Sequence, residues 1–180
     1  LAGWLIKARA LDDRVGCAIM MKLLETDLPI DCTFAFTVQE EVGNRGAFAA
    51  TFSVDPDIAL VIETATSADL PSVSPHQRVS RVGQGVVIPF MDRGTVYNRQ
   101  LFQMLTGLAE QHTIPWQTKT RIAGGTDAAA VQRTRGGVMT ATVAVPVRNL
   151  HSPAPVGSMD DIENLYKLCT LFLSEIGERY

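Results

Sequence analysis

Five side chains able to hold divalent cations stand where the pattern predicts junctions between structural elements: Asp12, Glu40, Glu41, Glu63 and His151. Carboxylates with one imidazole form the ligand set of borderline cations such as Zn2+, Co2+ or Mn2+. A carboxylate shared by two such ions lets them clamp the attacking and leaving oxygens of a hydrolysis. Without a cation, carboxylates gathered at one place repel one another. Each residue also has an ordinary explanation: Asp12 as a helix cap, Glu40 and Glu41 as a solvated pair, Glu63 as a loop carboxylate, His151 as a structural imidazole. Their convergence on one sheet edge is the signal. His76 and His112 have no comparable surroundings.

The elements that must position these groups follow from hydrophobic pattern. Thr33 to Val38 reads as a short buried strand, because an apolar run with β-branched and aromatic residues suits a strand covered on both faces. Glu40 and Glu41 fall at its carboxyl end, where open α/β sheets place their ligands, and Gly43 and Gly46 turn the chain. Ile58 to Ile62 is a second apolar strand ending at Glu63, followed by a small, polar loop to Ser72. Asp12 and Asp13 mark the start of a helix whose apolar positions surround nearly the whole cylinder, predicting a buried helix. A short helix is expected from Asn44 to Phe52 and a longer one from Tyr97 to His112, stopped by Pro115.

Further strands are predicted at Val86 to Pro89, at Trp116 to Ile122 with one wet face, and at Val138 to Val147. An alanine-rich helix follows Gly124, Gly125, Thr126 and Asp127, and an amphipathic helix closes the chain through Leu165, Leu168, Leu171, Phe172 and Ile176. Strands alternating with helices imply an α/β fold, a mainly parallel mixed sheet with helices on both faces.

The 180 residues, 46% of them apolar, suffice for one domain with a sizeable core. A net charge of −3 without a basic run points away from nucleic acid and from anionic membranes. No apolar run approaches membrane-spanning length and no leader pattern opens the chain, which reads as cytoplasmic. Cys17, Cys32 and Cys169 are odd in number and irregularly spaced, as expected of buried thiols rather than of a disulfide framework or a cysteine zinc site.

The motifs ALDDRVG, TVQEEVGNRGA, the ETATSADLP loop, GGTDAAA and RNLHSP, in this order, resemble the M42 family of metallo-aminopeptidases. This is the glutamyl aminopeptidase and tetrahedral aminopeptidase group, some of whose members are labelled endoglucanases, and the resemblance covers nearly the entire chain. It implies a zinc-peptidase-like catalytic domain, two divalent ions (zinc or cobalt), a peptide substrate and a homo-oligomer. It further implies that Asp12 bridges the two ions, Glu41 and His151 complete one site, Glu63 serves the other, and Glu40 is the general base. Glu40 would take the proton of the attacking water and return it to the leaving amine. Thr126 and Asp127 could line the substrate site, with helix capping the open alternative for Asp127.

Members of that family carry a histidine in an H-x-D segment and a small dimerisation domain inserted ahead of the D-D-R motif. Here eleven residues precede Asp12, and the first histidine is His76. Residues 1–180 are therefore expected to be the C-terminal major part of a single catalytic domain. The readings that compete with an active aminopeptidase are a truncated, inactive remnant of such a domain and a glycoside hydrolase. A carboxylate pair for glycoside hydrolysis requires neither His151 nor Asp12, whereas a metal site uses both.

Overall fold

A computed structural model describes residues 4–179. In chain order the elements are β1 (Leu5–Lys7), α1 (Leu11–Leu24), α2 (Arg45–Val54), β2 (Ile58–Ser67), β3 (Val86–Val87), α3 (Arg99–Gln111), β4 (Trp116–Gln117), α4 (Ala128–Val131), β5 (Met139–Arg148), β6 (Val156–Ser158) and α5 (Met159–Arg179). Strands β2 and β5, rich in β-branched residues, pair in parallel from Ile58 opposite Met139 to Ser67 opposite Arg148. On its other side β5 meets β3 antiparallel at Ala144, and β3 carries β4 in parallel. Beyond Arg148 the sheet continues through β6 to β1, both antiparallel. The fold is α/β with a mixed sheet in which the long ladder is parallel.

Alternation along the two long strands divides the core. Ala141, Val143, Val145 and Val147 point into a cluster with Leu165, Leu168 and Phe172 of α5, Leu101 and Leu105 of α3, and Ile19 and Leu23 of α1. The opposite face packs Ala59 and Val61 against Ala47 of α2 and Ala130 and Val131 of α4. Helices therefore cover both faces. Each large side chain fully buried in the first cluster contributes about 1.5–3 kcal/mol relative to exposure.

Asp161, in the first turn of α5, locks that helix to the chain before β3. Its carboxylate is buried and accepts N–H bonds from Gly83 at 2.7 Å and Gly85 at 2.9 Å. Gly85 has φ +92°, and a Cβ there would fall 2.0 Å from the Pro115 carbonyl oxygen, so no side chain fits.

Several expectations require correction. Thr33 to Val38 forms no ladder among the described residues, and Phe36 and Val38 are exposed, since no described strand lies alongside them. Strand β2 runs on to Ser67, so Glu63 lies inside it rather than at its end; polar Thr64, Thr66 and Ser67 continue the parallel pairing with β5. Helix α1 is buried on one stripe, Leu11, Val15, Ile19 and Leu23, with Met21 and Leu24 in solvent. The strand expected over Trp116 to Ile122 pairs only at Trp116–Gln117, and that over Val86 to Pro89 only at Val86–Val87. The cysteines are all free, but only Cys169 is buried; Cys32 is exposed. Among the described residues no helix is long and apolar enough to cross a membrane.

Candidate metal centre and its pocket

Asp12, Glu40, Glu41, Glu63 and His151 all line one cavity of about 340 Å³. Asp12 reaches it from the opening of α1, where the backbone is still non-helical. Its neighbour Asp13 supplies the cap, accepting the Gly16 N–H at 2.9 Å. Glu40 and Glu41 come from the turn before α2, closed by Gly43 and Asn44 N–H bonds to the Glu40 carbonyl, 3.0 Å each. Glu63 enters from the α2 side of β2, and His151 from the loop after β5.

Three of the five converge. Nε2 of His151 lies 3.0 Å from Oδ2 of Asp12 and 3.4 Å from Oε1 of Glu41. Donor atoms of all three lie within 4.8 Å of one another. Ligands about 2.0–2.1 Å from a tetrahedral cation sit roughly 3.3 Å apart, so the donor set and its spacing fit one divalent ion. Glu63 stands outside this group; its Oε1 accepts the Thr64 N–H at 3.0 Å.

The electrostatics are those of carboxylates crowded out of water. Burial pushes Glu63 well above the usual carboxylate range, with the Asp13, Asp12 and Glu40 charges adding to it. Asp13 is raised in the same way, burial first and Asp12 and Glu40 next, against the Gly16 hydrogen bond. Glu40 is raised by burial, then by Asp127, Glu41 and Asp12, and is opposed by Asn44. A divalent cation reverses this balance by favouring the charged forms.

The remaining expected residues, Thr126 and Asp127, are buried and lie outside the cavity lining. Thr126 Oγ1 accepts the Ala128 N–H at 3.2 Å at the start of α4, while Asp127 makes no side-chain cap. Asp127 instead accepts from Thr37 Oγ1 and, at 3.1 Å, from Asn44 Nδ2. Asn44 Nδ2 also donates to Glu40 Oε1 at 3.2 Å, which links Asp127 to Glu40 through one amide.

Sequence reasoning missed two residues here. Asn44 had a signal, since asparagine just before a helix and after a glycine suits the left-handed φ of +55° it adopts. Lys119 lines the cavity too, its Nζ donating to the Ala123 carbonyl at 3.1 Å. Burial lowers its pKa, while Asp92 and Glu63 oppose that. Its alternating strand pattern concealed it.

Residues 1–168 match the family described as M42 glutamyl aminopeptidase. The lysyl aminopeptidase of Pyrococcus furiosus is 32% identical over 92% of this chain and 47% of its own length. The glutamyl aminopeptidase of Lactococcus lactis is 31% identical over 87% of this chain and 44% of its own. Among solved structures, an aminopeptidase of the archaeon Desulfurococcus kamchatkensis superposes with a TM-score of 0.90 at 33% identity, covering 97% of this chain and 51% of that one. The chain spans about half the length of the curated relatives it matches.

Proposed function

The chain belongs to the M42 glutamyl aminopeptidase family, and from that membership and the cavity we propose a metal-dependent aminopeptidase that removes N-terminal residues from peptides. The observation that carries the reading is the approach of His151 to both Asp12 and Glu41. These three would hold one cation; Asp12 with Glu63 would hold a second, zinc or cobalt being suited to this donor set. Cations there would supply Lewis acidity toward the water and the scissile carbonyl.

The chain's own groups do the rest. Glu40, beside Glu41 in the same cavity, takes a proton from the attacking water and delivers it to the leaving amine. Asn44 keeps its carboxylate oriented through the 3.2 Å bond. The acidic lining attracts the free α-ammonium of a peptide, which restricts cleavage to the first bond. Thr126 and Asp127 act from behind the cavity, and cytoplasmic peptides are the proposed substrates. A homo-oligomer is proposed from the names of solved relatives, as in the Pyrococcus horikoshii peptidase described as assembling into a tetrahedron or a large octahedral shell.

The test combines metal analysis with mass spectrometry of peptide digests. Uptake of Zn2+ or Co2+ and stepwise loss of first residues, blocked by N-acetylation of the peptide, is expected. Cleavage of internal bonds alone would overturn the proposal. Cation uptake at Asp12, Glu41 and His151 without turnover would identify the competing reading, a non-catalytic remnant, which the place of Glu63 outside the three-residue group favours.

A further inference from the structure

A second cleft, of about 440 Å³, borders the metal cavity at the seam between α2 and α4. Gly43 and Asn44 line both spaces, so a single turn of chain forms the rim between them. The two differ in charge. The metal cavity gathers Asp12, Glu40, Glu41 and Glu63, whereas the ionisable side chains of the cleft are Arg45, at the start of α2, and Arg133, just past α4. Both arginines are exposed, and neither forms an ion pair among the described residues, so the carboxylates next door leave them unneutralised. Arg133 gives its Nε to the Ala129 carbonyl at 2.6 Å, which steadies the side chain and keeps its terminal amino groups for an outside acceptor. Phe48 adds an exposed ring to the same cleft. Guanidiniums beside an apolar surface suit a planar carboxylate, which an arginine holds through two parallel N–H bonds.

We propose that this cleft is a second substrate subsite: Arg45 and Arg133 receive a carboxylate carried by the peptide beyond the cleaved bond, above all the C-terminal carboxylate of a short peptide. The inference rests on the aminopeptidase reading and extends it from the first residue to the leaving part of the substrate. A short peptide is a dipole, with an ammonium at one end and a carboxylate at the other. The acidic cavity and the arginine cleft present the complementary order of charge across one shared rim. The residues after the first bond leave the cavity over that rim and so meet the guanidiniums. Because the carboxylate is remote from the reacting bond and stays charged throughout, its capture favours ground and transition states alike, which lowers KM and leaves kcat unchanged. The pairs form at an exposed surface, so salt weakens them.

The experiment compares kcat/KM of the metal-loaded protein for leucyl-alanine di- to pentapeptides, each as the free acid and as the C-terminal amide. Leucine p-nitroanilide serves as a substrate without a carboxylate. At the best-fitting length the acid should exceed the amide about two- to thirtyfold, through KM, the worth of two exposed ion pairs. Arg45→Gln combined with Arg133→Gln should bring that ratio to one while the amides and leucine p-nitroanilide keep their wild-type rates. Amides with an internal aspartate distinguish the source. A rate raised to that of the acid shows that any downstream carboxylate is accepted, and an unraised one assigns the cleft to the C-terminus. Equal rates for acid and amide at every length, or a ratio that the double substitution leaves intact, overturn the proposal while the aminopeptidase reading stands. If no peptide is cleaved, that reading fails, and calorimetry with the same peptides decides the subsite: binding of the acids that is lost in the double variant upholds it, and equal binding of acids and amides overturns it. Should the double variant lose folded circular dichroism, Arg45→Glu, which keeps the Arg133 bond to Ala129, should drive the ratio below one; an unchanged ratio overturns the proposal.

Discussion

Nδ2 of Asn44 donates to Oε1 of Glu40 at 3.2 Å, and the same nitrogen reaches Oδ1 of Asp127 at 3.1 Å. One amide therefore holds apart two carboxylates that would otherwise repel, and it fixes the orientation of the proposed base from a position at the foot of α2.

Replacing Asn44 by glycine keeps the left-handed backbone available and removes the bridge. The expected result is a fall in kcat of about tenfold, the worth of a hydrogen bond to a charged group, with metal content unchanged. Steady-state kinetics beside elemental analysis of the same preparation decide it. Wild-type kcat in Asn44→Gly would show that Glu40 is held by something else.

The metal-free protein should lose stability as pH rises. Burial and neighbouring charge push Asp13 from 3.8 to about 8 and raise Glu63 as well. A carboxyl raised in the folded state keeps a proton that the unfolded chain gives up near its ordinary value. The folded state is thus favoured fully only below about pH 4, and the advantage drains away as pH climbs toward 8. Thermal melts of chelator-treated protein from pH 5 to 8 should show a falling midpoint, and Glu63→Gln should flatten the curve. A midpoint that rises over that interval would contradict the crowding of carboxylates described above.

Positions set by local pattern are legible in the sequence, and those that depend on distant partners are not. Asp12, Glu40, Glu41, Glu63 and His151 stand out by residue type and expected place at one sheet edge, and all five line one cavity. The helices α3 and α5 follow directly from their apolar spacing. Thr33 to Val38 has the composition of a strand, yet composition supplies no neighbour, and the segment runs without a ladder among the described residues. Strand β2 outruns its apolar stretch because backbone pairing with β5 is indifferent to side-chain polarity, carrying Glu63 into the interior of the strand. Lys119 was invisible because an alternating, polar strand end is ordinary until the loop from Ala123 folds back over it.

Asp161 should matter for stability rather than for turnover. Its carboxylate receives two backbone donors, Gly83 and Gly85, in a buried setting. Asp161→Ala leaves both without a partner, at a cost of about 2–6 kcal/mol taken as roughly 1–3 for each donor. Asp161→Asn keeps one acceptor and should lose less. Urea denaturation of the two variants measures the difference; a loss under about 0.5 kcal/mol in the alanine variant, the range of an ordinary surface change, would show that water satisfies those donors.

Glu40 and Glu41 are adjacent in sequence, but His151 lies 3.4 Å from Glu41 while Asn44 binds Glu40, so their substitutions should separate. Glu40→Gln keeps the shape and cannot accept a proton from water. Turnover should fall on the order of 10²–10⁴-fold with metal content near normal. Glu41→Gln removes an anionic donor from the group with Asp12 and His151. Metal affinity should drop, and activity should return in part when Zn2+ or Co2+ is supplied in excess. Titrating metal into each variant while following peptide cleavage distinguishes the two. If Glu40→Gln is the variant rescued by metal, or if it cleaves at the wild-type rate, the proton carrier is another group and the two glutamates exchange the roles given to them here.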